Sequence, residues 1–94
     1  MPVYAVHYTY STDAEKVAAA KPEHRAYLAT LVEGGALLAS GPYVGTTPDS
    51  ALLIFRADSA DAVRALLAKD PIAPLVTGAD VTEWNPTLGV LAQG

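Results

Sequence analysis

The stretch Pro22–Pro42, PEHRAYLATLVEGGALLASGP, joins a helix to a strand across two glycines, and its punctuation organises the rest of the chain. Gly34-Gly35 is where a left-handed residue is easiest to place, so the helix ends there. Ala36 to Ser40 (ALLAS) then reads as a short apolar strand closed by Gly41-Pro42. At the other end, Pro22 suits the first turn of a helix and would break the interior of a longer one. The spacing therefore predicts a main helix over about 22–33, preceded by a short helix near 13–20 whose start is a Thr12…Glu15 capping box.

Outward from this stretch, Met1–Tyr10 (MPVYAVHYTY) alternates as a strand, with Val3, Ala5, His7 and Thr9 on one face and Tyr4, Val6, Tyr8 and Tyr10 on the other. Beyond it, Pro48-Asp49 marks a turn before Ala51–Ala57 (ALLIFRA), a second strand antiparallel to 36–40 because the connection is short. Asp58, Ser59 and Asp61 open a helix over about 60–69 with Val63, Leu66 and Leu67 as its apolar stripe, and Asp70-Pro71 ends it. Residues 72–78 read as a loop or a single turn, and 79–84 (ADVTEW) as the last strand, before Asn85-Pro86 and a light tail over 87–94. The order βαββαβ with right-handed crossovers implies a ferredoxin-like α+β fold: a four-stranded antiparallel sheet with both helices on one face.

Ninety-four residues suffice for one domain, here with a core of about 3–86. At 51% hydrophobic and 17% charged the chain is not disordered, yet eighteen of its residues are alanines, so the core is modest. With no cysteine to staple it, further burial is expected from a second copy. Two helices leave one sheet face bare, and pairing two such faces gives a homodimer, a dimeric α+β barrel with room for a small-molecule ligand. Net charge is 6 − 10 = −4 and the basic residues are spread along the chain, which argues against nucleic acid. No run of apolar residues is long enough for a membrane span and no secretory leader is evident, so a cytoplasmic protein is expected.

His24 lies on a helical wheel between Ala20 and Leu28, in line with Val17 and Leu31, on the face turned toward the sheet. With Pro22 opening the helix, His24 falls in the first turn, where the helix dipole disfavours imidazolium. It reads either as a buried structural histidine or as a proton acceptor. Asp70 follows the second helix, where the dipole disfavours an anion; it is either an Asp-Pro turn former or the partner that orients a histidine. Ser40, Gly41 and Pro42 read as a strand-end turn or as a place where backbone and hydroxyl approach a ligand. His7 and His24 without fixed spacing or cysteine give little support for a metal. Tyr4, Tyr8, Tyr10, Tyr27 and Tyr43 read either as the lining of an aromatic-friendly pocket or, more commonly at strand and helix spacing, as packing residues, and Trp84 reads as packing. No nucleophile elbow, P-loop, dinucleotide fingerprint or H-E-x-x-H is present, so no cofactor is expected.

Pro22-x-His24-x-x-Tyr27-Leu28, then Leu31, Gly35, Leu37-Leu38, Ser40-Gly41-Pro42, and Asp70-Pro71 ahead of a strand ending in Trp84, together resemble the YCII-related (YciI-like) proteins over about residues 3–86. The resemblance implies a ferredoxin-like protomer in a dimeric α+β barrel. It also implies a His-Asp active-site dyad, here His24 and Asp70, with Ser40 as a third member. Some relatives are similar to enzymes acting on small ring compounds, including a dehydrochlorinase of a chlorinated hydroxyquinol. Ile72 stands where relatives commonly carry an aromatic residue. The expectation is a cofactor-independent enzyme of lyase or isomerase type with His24 as general acid/base; the alternative is a noncatalytic ligand-binding or accessory dimer.

Overall fold

Alternation in the first strand sets the two faces of the molecule. In the computed structural model, which describes residues 1–92, β1 (Val3–Tyr10) buries Tyr4, Val6, Tyr8 and Tyr10 on one face while His7 and Thr9 stay exposed on the other. It is followed by α1 (Ala14–Glu33), β2 (Leu37–Pro42), β3 (Ser50–Arg56), α2 (Ala60–Ala68), a 3-10 turn at Ala73–Leu75, β4 (Val76–Trp84) and a second 3-10 turn at Val90–Ala92. The sheet order is β2-β3-β1-β4, with every neighbouring pair antiparallel. This is the ferredoxin-like βαββαβ arrangement.

Register carries the tyrosine face across the sheet. Tyr4 pairs with Phe55, Val6 with Leu53 and Tyr8 with Ala51, so these side chains share a face, and Val17 and Leu28 of α1 and Val63 and Leu67 of α2 pack onto it. Phe55, Val6, Val63 and Ile72 are fully buried there, each contributing about 1.5–3 kcal/mol by leaving water. The opposite face carries Ala5, His7, Leu52 and Ile54, and α1 and α2 both pack on the tyrosine face instead; Ile54 is nonetheless buried within the single chain. No helix is long and apolar enough to cross a membrane.

Several boundaries differ from those predicted, for identifiable reasons. α1 is one helix, unbroken at Pro22. Val17 upstream and His24 and Leu28 downstream are all buried, so both halves are clamped on the sheet and the proline's cost of about 3 kcal/mol is absorbed. Its N-cap is Asp13 rather than Thr12: the Asp13 carboxylate accepts from the Lys16 backbone N–H at 3.2 Å, and its charge suits the helix start better than a hydroxyl.

At the other end, Gly35 has φ +83°, Gly35 N–H bonds Val32 O and Ala36 N–H bonds Leu31 O, the paired bonds of a Schellman turn. β2 runs on through Gly41-Pro42 instead of stopping at Ser40, because it is an edge strand where a proline's missing N–H costs no ladder bond. β4 begins at Val76, not residue 79: a register shift between Thr9 and Tyr10 lets Tyr10 pair with Val76, and Gly78 sits opposite Thr9 as a strand residue. Trp84 is half exposed at the end of β4, beside Val3, and is less a packing residue than its type suggests.

Candidate active site

His24 sits on the buried stripe of α1, its ring centroid 6.4 Å from those of both Tyr8 and Tyr10. It lies well inside a helix that starts at Ala14, so the dipole at the helix start, which fades within one turn, does not act on it as the sequence suggested. What the ring meets instead is Asp70. The His24 Nδ1–H donates to the Asp70 carboxylate, 2.9 Å from Oδ1 and 2.8 Å from Oδ2, and both residues are buried, 6% and 3% exposed.

An ionised carboxylate only accepts, so this contact places the proton of a neutral imidazole on Nδ1 and leaves the Nε2 lone pair free. Nε2 bonds to no described residue, and His24 lines a cleft.

Two further donors hold Asp70 where the turn after α2 delivers it. The Ile72 N–H donates to Oδ1 at 3.1 Å and the Tyr8 hydroxyl to Oδ2 at 3.3 Å. The first of these is an Asx turn, so Asp70 is at once the Asp-Pro turn former and the histidine's partner. Ile72 itself is fully buried in the core behind the pair and lines no cleft. Burial first, and the Asp70 charge second, push the Tyr8 hydroxyl far above its usual range; the same two causes, with the Asp49 charge adding to them and Arg25 opposing, push Tyr10 up to about 12. Both phenols stay protonated, and Tyr8 stays a donor.

The cleft has a volume of about 200 Å³ and lies between α1 and the β2–β3 edge of the sheet. Leu28, Leu53, Ala51 and Pro42 give it apolar walls, and Ser40 and Gly41 face it from β2. The residues singled out from sequence thus converge: His24, backed by Asp70, on one side, and Ser40-Gly41-Pro42 on the other. Tyr10 also lines it, in keeping with the pocket reading of the tyrosines, and so do Lys21 and Arg25, which the sequence did not single out. Lys21 and Arg25 were legible as neighbours of His24 on the helical wheel; the Tyr8 bond to Asp70 spans 62 residues and had no sequence signal.

His7 projects from the opposite face of the sheet, where its Nδ1 lies 3.1 Å from the Tyr43 hydroxyl and its ring stacks on Tyr43 at 5.7 Å. The two histidines are therefore not brought together, and among the described residues no group of three His, Asp or Glu side chains is positioned to hold a metal.

A family model described as the YCII-related domain matches residues 1–85. No curated protein sequence matches the chain. Among solved structures, a 5-chloro-2-hydroxyhydroquinone dehydrochlorinase (TftG) from Burkholderia phenoliruptrix AC1100, in complex with 2,5-dihydroxybenzoquinone, superposes with a TM-score of 0.67 at 21% identity, over 87% of this chain and 92% of that one. A mutant of MhuD with two manganese protoporphyrin IX molecules bound per active site aligns with a TM-score of 0.43 at 19% identity, over 95% of this chain and 98% of that one. At these identities the first likeness concerns the fold, and the second carries no further weight.

Proposed function

The chain belongs to the YCII-related family, and we propose that it is a small homodimeric enzyme that moves protons without a cofactor on a small cyclic or aromatic molecule, in lyase- or isomerase-type chemistry. The observation that carries this reading is the buried bond from His24 Nδ1–H to the Asp70 carboxylate at the wall of the cleft. In this reading Nε2 takes a proton from substrate carbon or oxygen. Asp70 fixes the ring's tautomer and offsets the imidazolium that forms, without itself taking the proton. Ser40, Gly41 and Pro42 position the substrate against the ring. The dehydrochlorinase that shares the fold was solved with a small six-membered ring compound, which agrees with a substrate of that size.

Dimerisation would cover Ala5, His7 and Leu52, on the sheet face turned away from α1 and α2, with the same face of a second copy. A second reading has its own observation. Asp70 also bonds the Ile72 backbone and Tyr8, so the pair ties the turn before β4 to α1 and is compatible with a noncatalytic ligand-binding or accessory dimer.

Deuterium incorporation separates the two. Small cyclic ketones and hydroxyquinones are incubated with the protein in heavy water and followed by proton NMR. The catalytic reading expects exchange of an acidic C–H that is lost in His24→Gln; exchange no faster than with His24→Gln for every compound would favour the noncatalytic dimer.

A further inference from the structure

We infer that the cleft beside His24 selects substrates bearing a negative charge, a carboxylate or an ionised ring hydroxyl, through Lys21 and Arg25. The inference rests on the cleft being the site proposed above and names the class of molecule it takes.

Lys21 and Arg25 are four residues apart on α1, one turn, and so flank His24 on the same side of the helix. Both line the cleft. The Lys21 ammonium is held 4.7 Å above the centroid of the Tyr10 ring, a contact that fixes its position without neutralising its charge. The Arg25 charge is felt at the same tyrosine, where it opposes the upward push of burial on the hydroxyl.

Among the described residues neither cation has a carboxylate within ion-pairing distance, whereas Lys16 and Arg64 are paired with Asp13 and Asp61. The acids near Tyr10 do not cancel them: Asp70 is occupied by His24, Tyr8 and the Ile72 N–H, and Asp49 does not line the cleft. In a chain whose net charge is −4, two of the six Lys and Arg residues therefore stand unpaired at one small opening. Field lines between low-dielectric walls focus such charges on whatever enters.

Leu28, Pro42, Ala51 and Leu53 give the rest of the cleft apolar wall beside Ser40, and the volume of about 200 Å³ is below that of drug-sized sites, so the occupant is a single-ring anion or one of similar bulk. Its charge would lie toward Lys21 and Arg25. The same two cations would also stabilise the negative charge that builds up as Nε2 removes a proton.

Benzoate and its neutral isostere benzamide test the charge selection directly. Their affinities are measured by NMR titration, following the backbone amides of Ser40, Gly41 and Ala51, for the wild type, for Lys21→Gln/Arg25→Gln and for His24→Gln. Benzoate is expected to bind the wild type about tenfold more tightly than benzamide, with the difference shrinking as salt is raised. In the double variant, benzoate should fall to the benzamide level while benzamide is unchanged, and His24→Gln should keep the preference. Equal affinities in the wild type, no binding of benzoate, or a preference that survives in the double variant would each overturn the inference. Charge selection is a property of binding and is read without turnover. A failed deuterium exchange with intact benzoate preference removes the catalytic reading alone, and exchange on neutral and anionic compounds alike, with no benzoate preference, removes only the anion selectivity.

Discussion

The His24 Nδ1 lies 2.8 Å from Asp70 Oδ2, the two residues standing 46 positions apart in the chain and with almost no solvent on either. A histidine from the middle of the first helix and an acid from the turn after the second meet behind the sheet's tyrosine face. Asp70→Asn keeps the shape but replaces a carboxylate oxygen by an NH₂ group, which can make Nδ1 the acceptor and put the ring's proton on Nε2. For any substrate turned over by the wild type, Asp70→Asn is expected to lower kcat by about two to four orders of magnitude. A variant with kcat within a factor of a few of wild type would show that Asp70 does not orient the base. Asp70→Ala should in addition cost about 3–5 kcal/mol of stability in urea unfolding, since it strands the Tyr8 hydroxyl, the Ile72 N–H and the His24 ring together.

Tyr8 touches Asp70 and does not line the cleft, so it acts through the carboxylate. Tyr8→Phe removes one of three donors to Asp70 with little change of volume and is expected to cost about 1 kcal/mol. If it positions Asp70, kcat should fall with KM unchanged, and the acidic limb of the pH profile, set by the base His24, should move. Unfolding by urea measures the first effect, steady-state kinetics across pH the second. A stability loss with an unaltered pH profile would assign Tyr8 to packing alone.

High pH should loosen the tyrosine face. Burial holds the Tyr10 hydroxyl up at about 12, against an ordinary 10.0, and raises Tyr8 and Tyr27 as well. Above the unfolded value the unfolded chain releases these protons while the folded chain keeps them, so folding stability is whole below pH 10 and declines as pH rises toward 12. Thermal unfolding followed by circular dichroism between these limits should show Tm falling, and falling less steeply in Tyr10→Phe. Parallel curves for the two proteins would contradict the assignment to Tyr10.

Leu52 lies half-buried on the sheet face turned away from α1 and α2. Leu52→Arg places a charge where a second copy is proposed to pack. Sedimentation should give about twice the 9.8 kDa chain mass for the wild type and the single-chain mass for the variant. A wild type that sediments as a single chain at all concentrations would remove the dimer.

Pro22 lies inside α1, where it denies the helix one backbone donor and crowds the preceding turn. Pro22→Ala is expected to stabilise the protein by up to about 3 kcal/mol, read as a raised urea midpoint with an unchanged slope. Because Lys21, His24 and Arg25 all sit next to this residue, the same variant reports whether the helix's path at Pro22 matters to the cleft. Benzoate affinity should then change together with stability.

Local signals placed much of the molecule. The glycine pair 34–35 fixed the end of α1, the period-2 pattern of Met1–Tyr10 fixed both faces of β1, and the wheel put His24 on the buried stripe, all through contacts a few residues apart. Where the sequence misled, a long-range term had overruled a local one. Burial of Val17 and Leu28 on either side carried α1 through Pro22, which moved His24 away from a helix start and voided the dipole argument for its neutrality. The edge position of β2 likewise turned an apparent Gly-Pro stop into strand, bringing Ser40, Gly41 and Pro42 to the cleft opposite His24.

Element order, helix faces and the residue types able to do acid-base chemistry were therefore written in the sequence, because they depend on spacings of two to four residues. The bond between His24 and Asp70, its support from Tyr8 and the gathering of Lys21 and Arg25 at one opening were decided only by tertiary structure. Each depends on which register the strands adopt and where two helices land on the sheet, and those are settled by packing of the whole core.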